Sequence, residues 1–263
     1  MIDPRHNGPA ASLRRIRLIA RHTLGEALHL RLTLLLGLTG AGLFAGAWWL
    51  RELHFGSTEL MFLGDFGLGV VSFLGTLLAV LATAHLYFGE IGSQAIHCVL
   101  TRPVRRWEYM AGKFAGVTGV LALFVALLAG VLAVVIATRE SQLHASFVPL
   151  PVYLQACALV WFKATLTAAL ALLVCSHATS ALFASCTGLL LVLIAHLRFL
   201  ADEGAGLWWL RVWPDLGLFD ASALLATGHT TPGYWLLGLA VYWAAYVFVL
   251  VALASYAFKH REF

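Results

Sequence analysis

The stretch Glu90–Lys113, EIGSQAIHCVLTRPVRRWEYMAGK, is a polar insert between two long apolar runs, and its reading decides the fold. It holds six of the chain's 30 charged residues in 24 positions, and four of those six are basic. A net-positive insert between two membrane-length segments stays on the cytoplasmic side. It therefore orients the molecule and offers a surface to a cytoplasmic partner.

Outward from this insert the chain is apolar. Of 263 residues, 61% are hydrophobic and 11% charged, with a mean hydropathy of +0.86. Soluble domains carry about 25% charged residues, so composition excludes a soluble globular protein. At about 20 residues per span, six spans and their connections fit this length. The net charge of +4 does not point to nucleic acid, because the basic residues sit beside apolar runs. Lys and Arg there reflect insertion topology and contact with anionic headgroups. Cys98, Cys157, Cys175 and Cys186 lack paired spacing, which argues against a disulfide framework or a zinc site. The first thirty residues are Arg-rich without a short apolar core, so no cleavable signal peptide is expected.

Residues 1–31 read as a cytoplasmic amino terminus ending in an amphipathic helix over 12–31. Leu13, Ile16, Ile19, Ala20, Leu24, Ala27 and Leu28 fall on one half of its wheel. Arg14, Arg15, Arg21, His22, Glu26 and His29 take the other half. Such a helix lies along the membrane surface, with Arg14, Arg15 and Arg21 at the headgroups; the alternative is an extension of the first span. The spans are 32–50, 66–88, 114–138, 153–176, 180–199 and 234–258, with the polar loop at 89–113 and a tail at 259–263. The fold class is thus an all-α integral membrane protein of six transmembrane helices preceded by an interfacial helix.

Lys and Arg counts set the orientation. The amino-terminal segment has six, the 89–113 loop four and the tail two, against Arg51, Arg139, Arg198 and Arg211 on the other side. This is a positive-inside pattern with both termini cytoplasmic, which requires an even number of spans. The segment 200–233 is acidic and rich in tryptophan, with Trp208, Trp209 and Trp213 suited to the membrane–water interface. Short helical pieces on the outer surface are expected there, broken at Pro214.

No catalytic motif is evident: there is no GxSxG elbow, HExxH pair or Cys–His arrangement, and no metal site among the scattered histidines. His85 and His196 lie near span ends, where a lone histidine is most often a hydrogen-bonded interfacial residue. Lys163 is the one ionisable residue well inside an apolar run. A charge at that depth is a functional candidate, although its stem also reaches the outer headgroups by snorkelling. No GxxxxGK[ST] loop occurs, so any ATP-driven step needs a separate ATPase.

Within the loop, Pro103 disfavours a helix through Arg102, so two short helices around a bend are expected. This is either a rigid protrusion for docking another protein or a basic turn serving topology. Glu90, the LTRPVRR run (Leu100–Arg106) and WEYMAGKFAG (Trp107–Gly116) resemble the first cytoplasmic loop of ATP-binding-cassette exporter permeases of the second type. The resemblance is closest to the branch containing the permease for nitrous-oxide reductase maturation. The Pro214–Asp220 run and the basic carboxyl end fit that branch too.

The resemblance implies that the loop carries a coupling helix seated in a nucleotide-binding subunit. Glu90, Arg102, Pro103, Arg105, Arg106, Glu108, Gly112 and Lys113 match the family pattern. Ser93–His97, with Gln94 and His97, departs from it and marks partner choice. The resemblance further implies an inner-membrane permease with no catalysis and no cofactor of its own, ATP and Mg being bound by the partner. Two ATPase subunits, a second permease copy or related permease, and in some members an outer-side partner complete such a complex. A force-transmitting subunit that moves no solute is the alternative within transport; an intramembrane enzyme using Lys163 or a histidine is the alternative outside it.

Overall fold

The structure, a computed structural model, describes residues 9–47, 59–92, 105–143, 148–198 and 213–259. No strand occurs among the described residues, as expected of backbone that must satisfy its own hydrogen bonds in lipid. The helices are α1 (Pro9–Leu28), α2 (Arg31–Ala47), α3 (Glu59–Gly92), α4 (Arg106–Leu143), α5 (Leu150–His177) and α6 (Ala181–His196). A 3-10 turn (Gly217–Phe219), α7 (Ser222–Thr227) and α8 (Gly233–Lys259) complete the order.

By length and composition, α3, α4, α5 and α8 are able to cross a membrane. α1 and α2 meet at a bend of 60° and make a fifth candidate if taken as one broken span. α6 has 16 residues, about 24 Å at 1.5 Å per residue, short of the roughly 30 Å apolar core. Among the described residues, four or five candidates therefore stand where six spans are expected. The helices also run past their apolar stretches: α3 takes in residues 59–65, expected as connection, and α4 takes in 106–113.

Local chemistry explains several ends. The α1–α2 bend is held by Thr33 Oγ1 donating to Ala27 O at 2.8 Å. Pro151 sits in the first turn of α5, where its missing N–H has no helical partner to lose. Ser180 caps α6 by accepting from the Phe183 N–H at 3.3 Å. Gly228 ends α7 in the left-handed conformation, at φ 63°.

α5 is the central helix, buried along most of its length and packed on α3, α4, α6 and α8. Two aromatic side chains, Tyr153 on this helix and Trp243 beside it, have their polar tips paired. Tyr153 donates to Ala129 O at 2.6 Å, and Trp243 of α8 donates to Thr165 Oγ1 at 2.8 Å. Within 200–233 the described residues hold the 3-10 turn and α7; Trp208 and Trp209 lie outside the described residues. This segment is pinned to the bundle by Arg198 donating to Trp213 O at 2.8 Å and by the Asp215 N–H donating to Tyr242 Oη at 2.8 Å. α1 runs parallel to the start of α4, because Ser12 and Arg15 meet Glu108 while Thr23 meets Gly116.

Candidate functional site

The two helix ends that flank the polar loop are joined to each other. Leu86 and Glu90 share one face of α3, and Tyr109 and Lys113 share one face of α4, each pair four residues apart. Lys113 is 1% exposed, and a buried ammonium is tolerated only when paired and hydrogen-bonded. It pairs with Glu90 Oε2 at 2.9 Å, donates to Leu86 O at 2.6 Å and donates to Tyr109 Oη at 3.2 Å. Tyr109 Oη donates in turn to Glu90. The rings of Tyr87 and Tyr109 lie 5.8 and 5.4 Å from the ammonium, within cation–π range.

Glu108, one residue before Tyr109, faces α1 and is fully buried. It accepts from Ser12 Oγ at 2.6 Å and from Arg15 Nε and Nη2, each at 2.9 Å. The Arg105 N–H also donates to it at 3.1 Å, which is the reach-back of a third-position glutamate to the residue preceding its helix. Glu108 lies ahead of the apolar stretch 114–138. Burial alone would push its carboxyl up, yet the bonds from Arg15, Ser12 and Arg105 outweigh burial and hold it below the usual value.

Small residues let α1 approach this closely. A Cβ at Gly112 would lie 2.8 Å from Ile19 Cβ, and one at Gly116 would lie 2.6 Å from Thr23 Cβ. The spacing is that of small-xxx-small helix contacts in membranes. At the same end, Arg106 donates to Phe258 O of α8 at 3.3 Å, and the Phe258 ring stacks on Tyr109 at 5.7 Å. The first two turns of α4 thus bind α1, α3 and α8 together.

Of the residues expected to couple, Glu90, Glu108, Gly112 and Lys113 converge here, turned inward as clamps between helices. Arg105 and Arg106 are exposed. Gln94, His97, Arg102 and Pro103 lie outside the described residues. Arg14 and Arg21 are exposed, whereas Arg15, expected at headgroups, turns to Glu108. Tyr87, Tyr109 and Phe258 are site residues that sequence reasoning passed over; no periodicity distinguishes them from ordinary core aromatics.

His22, Glu26 and Glu90 bring ligand atoms within 4.8 Å of one another. The His22–Glu26 spacing of four was a visible signal for this meeting, though not for its third member. Glu90, the third member, is already ion-paired with the Lys113 ammonium at 2.9 Å. Lys163 lies elsewhere, lining a cavity with Asp65, His196 and Asp220. His196 also satisfies one ring nitrogen locally, Nδ1 lying 3.0 Å from Val192 O.

The profile of the family described as ABC-2 family transporter protein matches residues 13–202. No curated protein matches the chain.

Proposed function

The chain belongs to the ABC-2 family of transporters, and we propose that it is an exporting half-transporter whose polar loop at 89–113 carries force from a separate ATPase into the membrane. A membrane subunit of this family is generally non-catalytic and works with an ABC ATPase. The observation that carries the reading is the joining of both loop-flanking helix ends by Glu90, Tyr109 and Lys113. Force applied to the loop reaches a block of four helices, because Arg15–Glu108 and Arg106–Phe258 tie α1 and α8 to the same turns. Displacement is then transmitted as a rigid-body shift instead of being absorbed by fraying.

The remaining features follow from this reading. The loop end faces the cytoplasm of an inner-membrane protein by the excess of Lys and Arg there, with both termini on that side. On the six-span reading, residues 32–50 and 180–199, which overlap α2 and α6, are the two remaining spans. A chain of this size pairs with a second permease copy or a related permease and engages two ATPases. The loop sequence favours the nitrous-oxide reductase maturation branch.

Co-expression with an ABC ATPase tests the proposal. The Arg102→Ala/Arg105→Ala variant is expected to lose ATPase capture and membrane-stimulated hydrolysis while its melting temperature stays at the wild-type value. Retention of both capture and stimulation by that variant overturns the reading.

A further inference from the structure

The end of the bundle away from the loop holds a second polar cluster that the coupling role does not use. A cavity of about 370 Å³ lies between α3, α5, α6 and residues 220–222, within the size range of small-ligand sites. Asp65, Lys163, His196 and Asp220 line it, together with apolar side chains such as Leu77 and Val192. Lys163 stands at mid-length of α5 and is only 9% exposed. Among the described residues, its ammonium has no hydrogen bond and no carboxylate at ion-pair distance. A buried cation in a membrane helix needs a partner or a solvated cavity, and this one lines a cavity.

The lining constrains the occupant. It offers one fixed cation and two carboxylates, Asp65 and Asp220, both exposed. A purely anionic group would meet the two carboxylates, and a purely cationic group would meet the ammonium. Phe73, also on the wall, is 64% exposed, so apolar surface continues from the cavity to the helix exterior, where lipid lies. A neighbouring cavity of about 380 Å³ shares Asp65 and Ser222 and extends toward α7, which adds room at the polar side.

We propose that this cavity binds a zwitterionic amphiphile of the adjoining leaflet, an aminophospholipid whose phosphate meets Lys163 and whose ammonium meets Asp65 and Asp220. The acyl chains leave past Phe73 into the bilayer. The site requires only that the helices be embedded, so it stands or falls independently of ATPase pairing.

Native mass spectrometry of the full chain, titrated with phosphatidylethanolamine, phosphatidylglycerol and phosphatidylcholine of equal chain length, tests this. Phosphatidylethanolamine alone combines a phosphate with a hydrogen-bonding ammonium, so it should bind about 10-fold more tightly than the other two. Lys163→Met should lower that affinity about 10-fold, and Lys163→Arg should restore most of it. Asp65→Asn with Asp220→Asn should erase the preference over phosphatidylglycerol even if Lys163→Met does not fold. Equal binding of the three lipids overturns the proposal. So does a Lys163→Met protein that melts higher and keeps the wild-type preference, because the lysine is then only a structural burden. Binding of water-soluble glycerophosphoethanolamine as tightly as the lipid overturns the membrane source of the ligand.

Discussion

Arg15 and Glu108 are 93 positions apart in the chain and meet in a two-pronged ion pair, with Nε and Nη2 each 2.9 Å from a carboxylate oxygen. Such fork-to-fork pairing fixes orientation as well as proximity. It holds the amphipathic helix parallel to the start of α4, where that helix leaves the polar loop. α1 is therefore part of the block that the loop would move, with Ile19 of its apolar stripe set against Gly112 and Leu13 left exposed.

Acidification should release this contact. Burial pushes the Glu108 carboxyl up, but the bonds from Arg15, Ser12 and Arg105 hold it below its ordinary value of 4.5. A lowered folded value means stability that is present above the unfolded value and lost as pH falls through the folded one. The melting-temperature difference between wild type and Glu108→Gln should be constant above about pH 5.5 and shrink as pH falls below the ordinary value of 4.5 toward the lowered folded one. A difference unchanged at pH values of about 3 to 4 would show that the ionised carboxylate does not hold α1.

The glycine contacts predict a steric effect of opposite sign at two positions. Gly116→Val places branched carbon where a Cβ already falls 2.6 Å from Thr23 Cβ and 2.8 Å from Ala20 O. Overpacking of this kind costs about 1–3 kcal/mol, and it should raise the labelling rate of a cysteine placed on the α4-facing side of α1. At Gly25, inside α1, a Cβ would meet nothing within 4 Å, so Gly25→Ala should be neutral or stabilise by about 0.5–1 kcal/mol. Calorimetry in detergent compares the two; equal shifts would remove the close-approach argument.

Lys113→Met should be the most damaging single change at the loop end. It leaves the Glu90 carboxylate, 12% exposed, without its countercharge, and breaking such a buried pair costs about 3–5 kcal/mol. Adding Glu90→Gln should recover most of the loss, since the pair as a whole contributes little net stability. Chemical unfolding of the two single variants and the double variant measures the coupling. A double variant no better than Lys113→Met alone would place the damage in packing and not in charge.

The positions of Glu90 and Lys113 at the two ends of the loop were legible in the sequence. Their partnership was not. A residue pair 23 positions apart on two helices meets only in one rotational register, which composition does not encode. Lys163 was legible as an anomaly of depth, whereas Asp65 and Asp220 read as ordinary connection acids. It took the packing of α3 and α5, and the return of residues 220–222 over them, to bring all three to one cavity.

The amino-acid sequence by itself determined that this chain is helical and membrane-embedded, because apolar composition leaves lipid as its solvent and lipid leaves the helix as its backbone. Its basic insert also marked the loop as the polar break between two apolar runs. Only the tertiary structure decided what stands behind that loop: α1 docked on Gly112 and Gly116, Arg15 on Glu108, and Lys113 enclosed by Glu90 and two tyrosines. The physical reason is range. Hydropathy acts residue by residue, but an ion pair or a close helix contact exists only where two surfaces arrive at matching height and rotation.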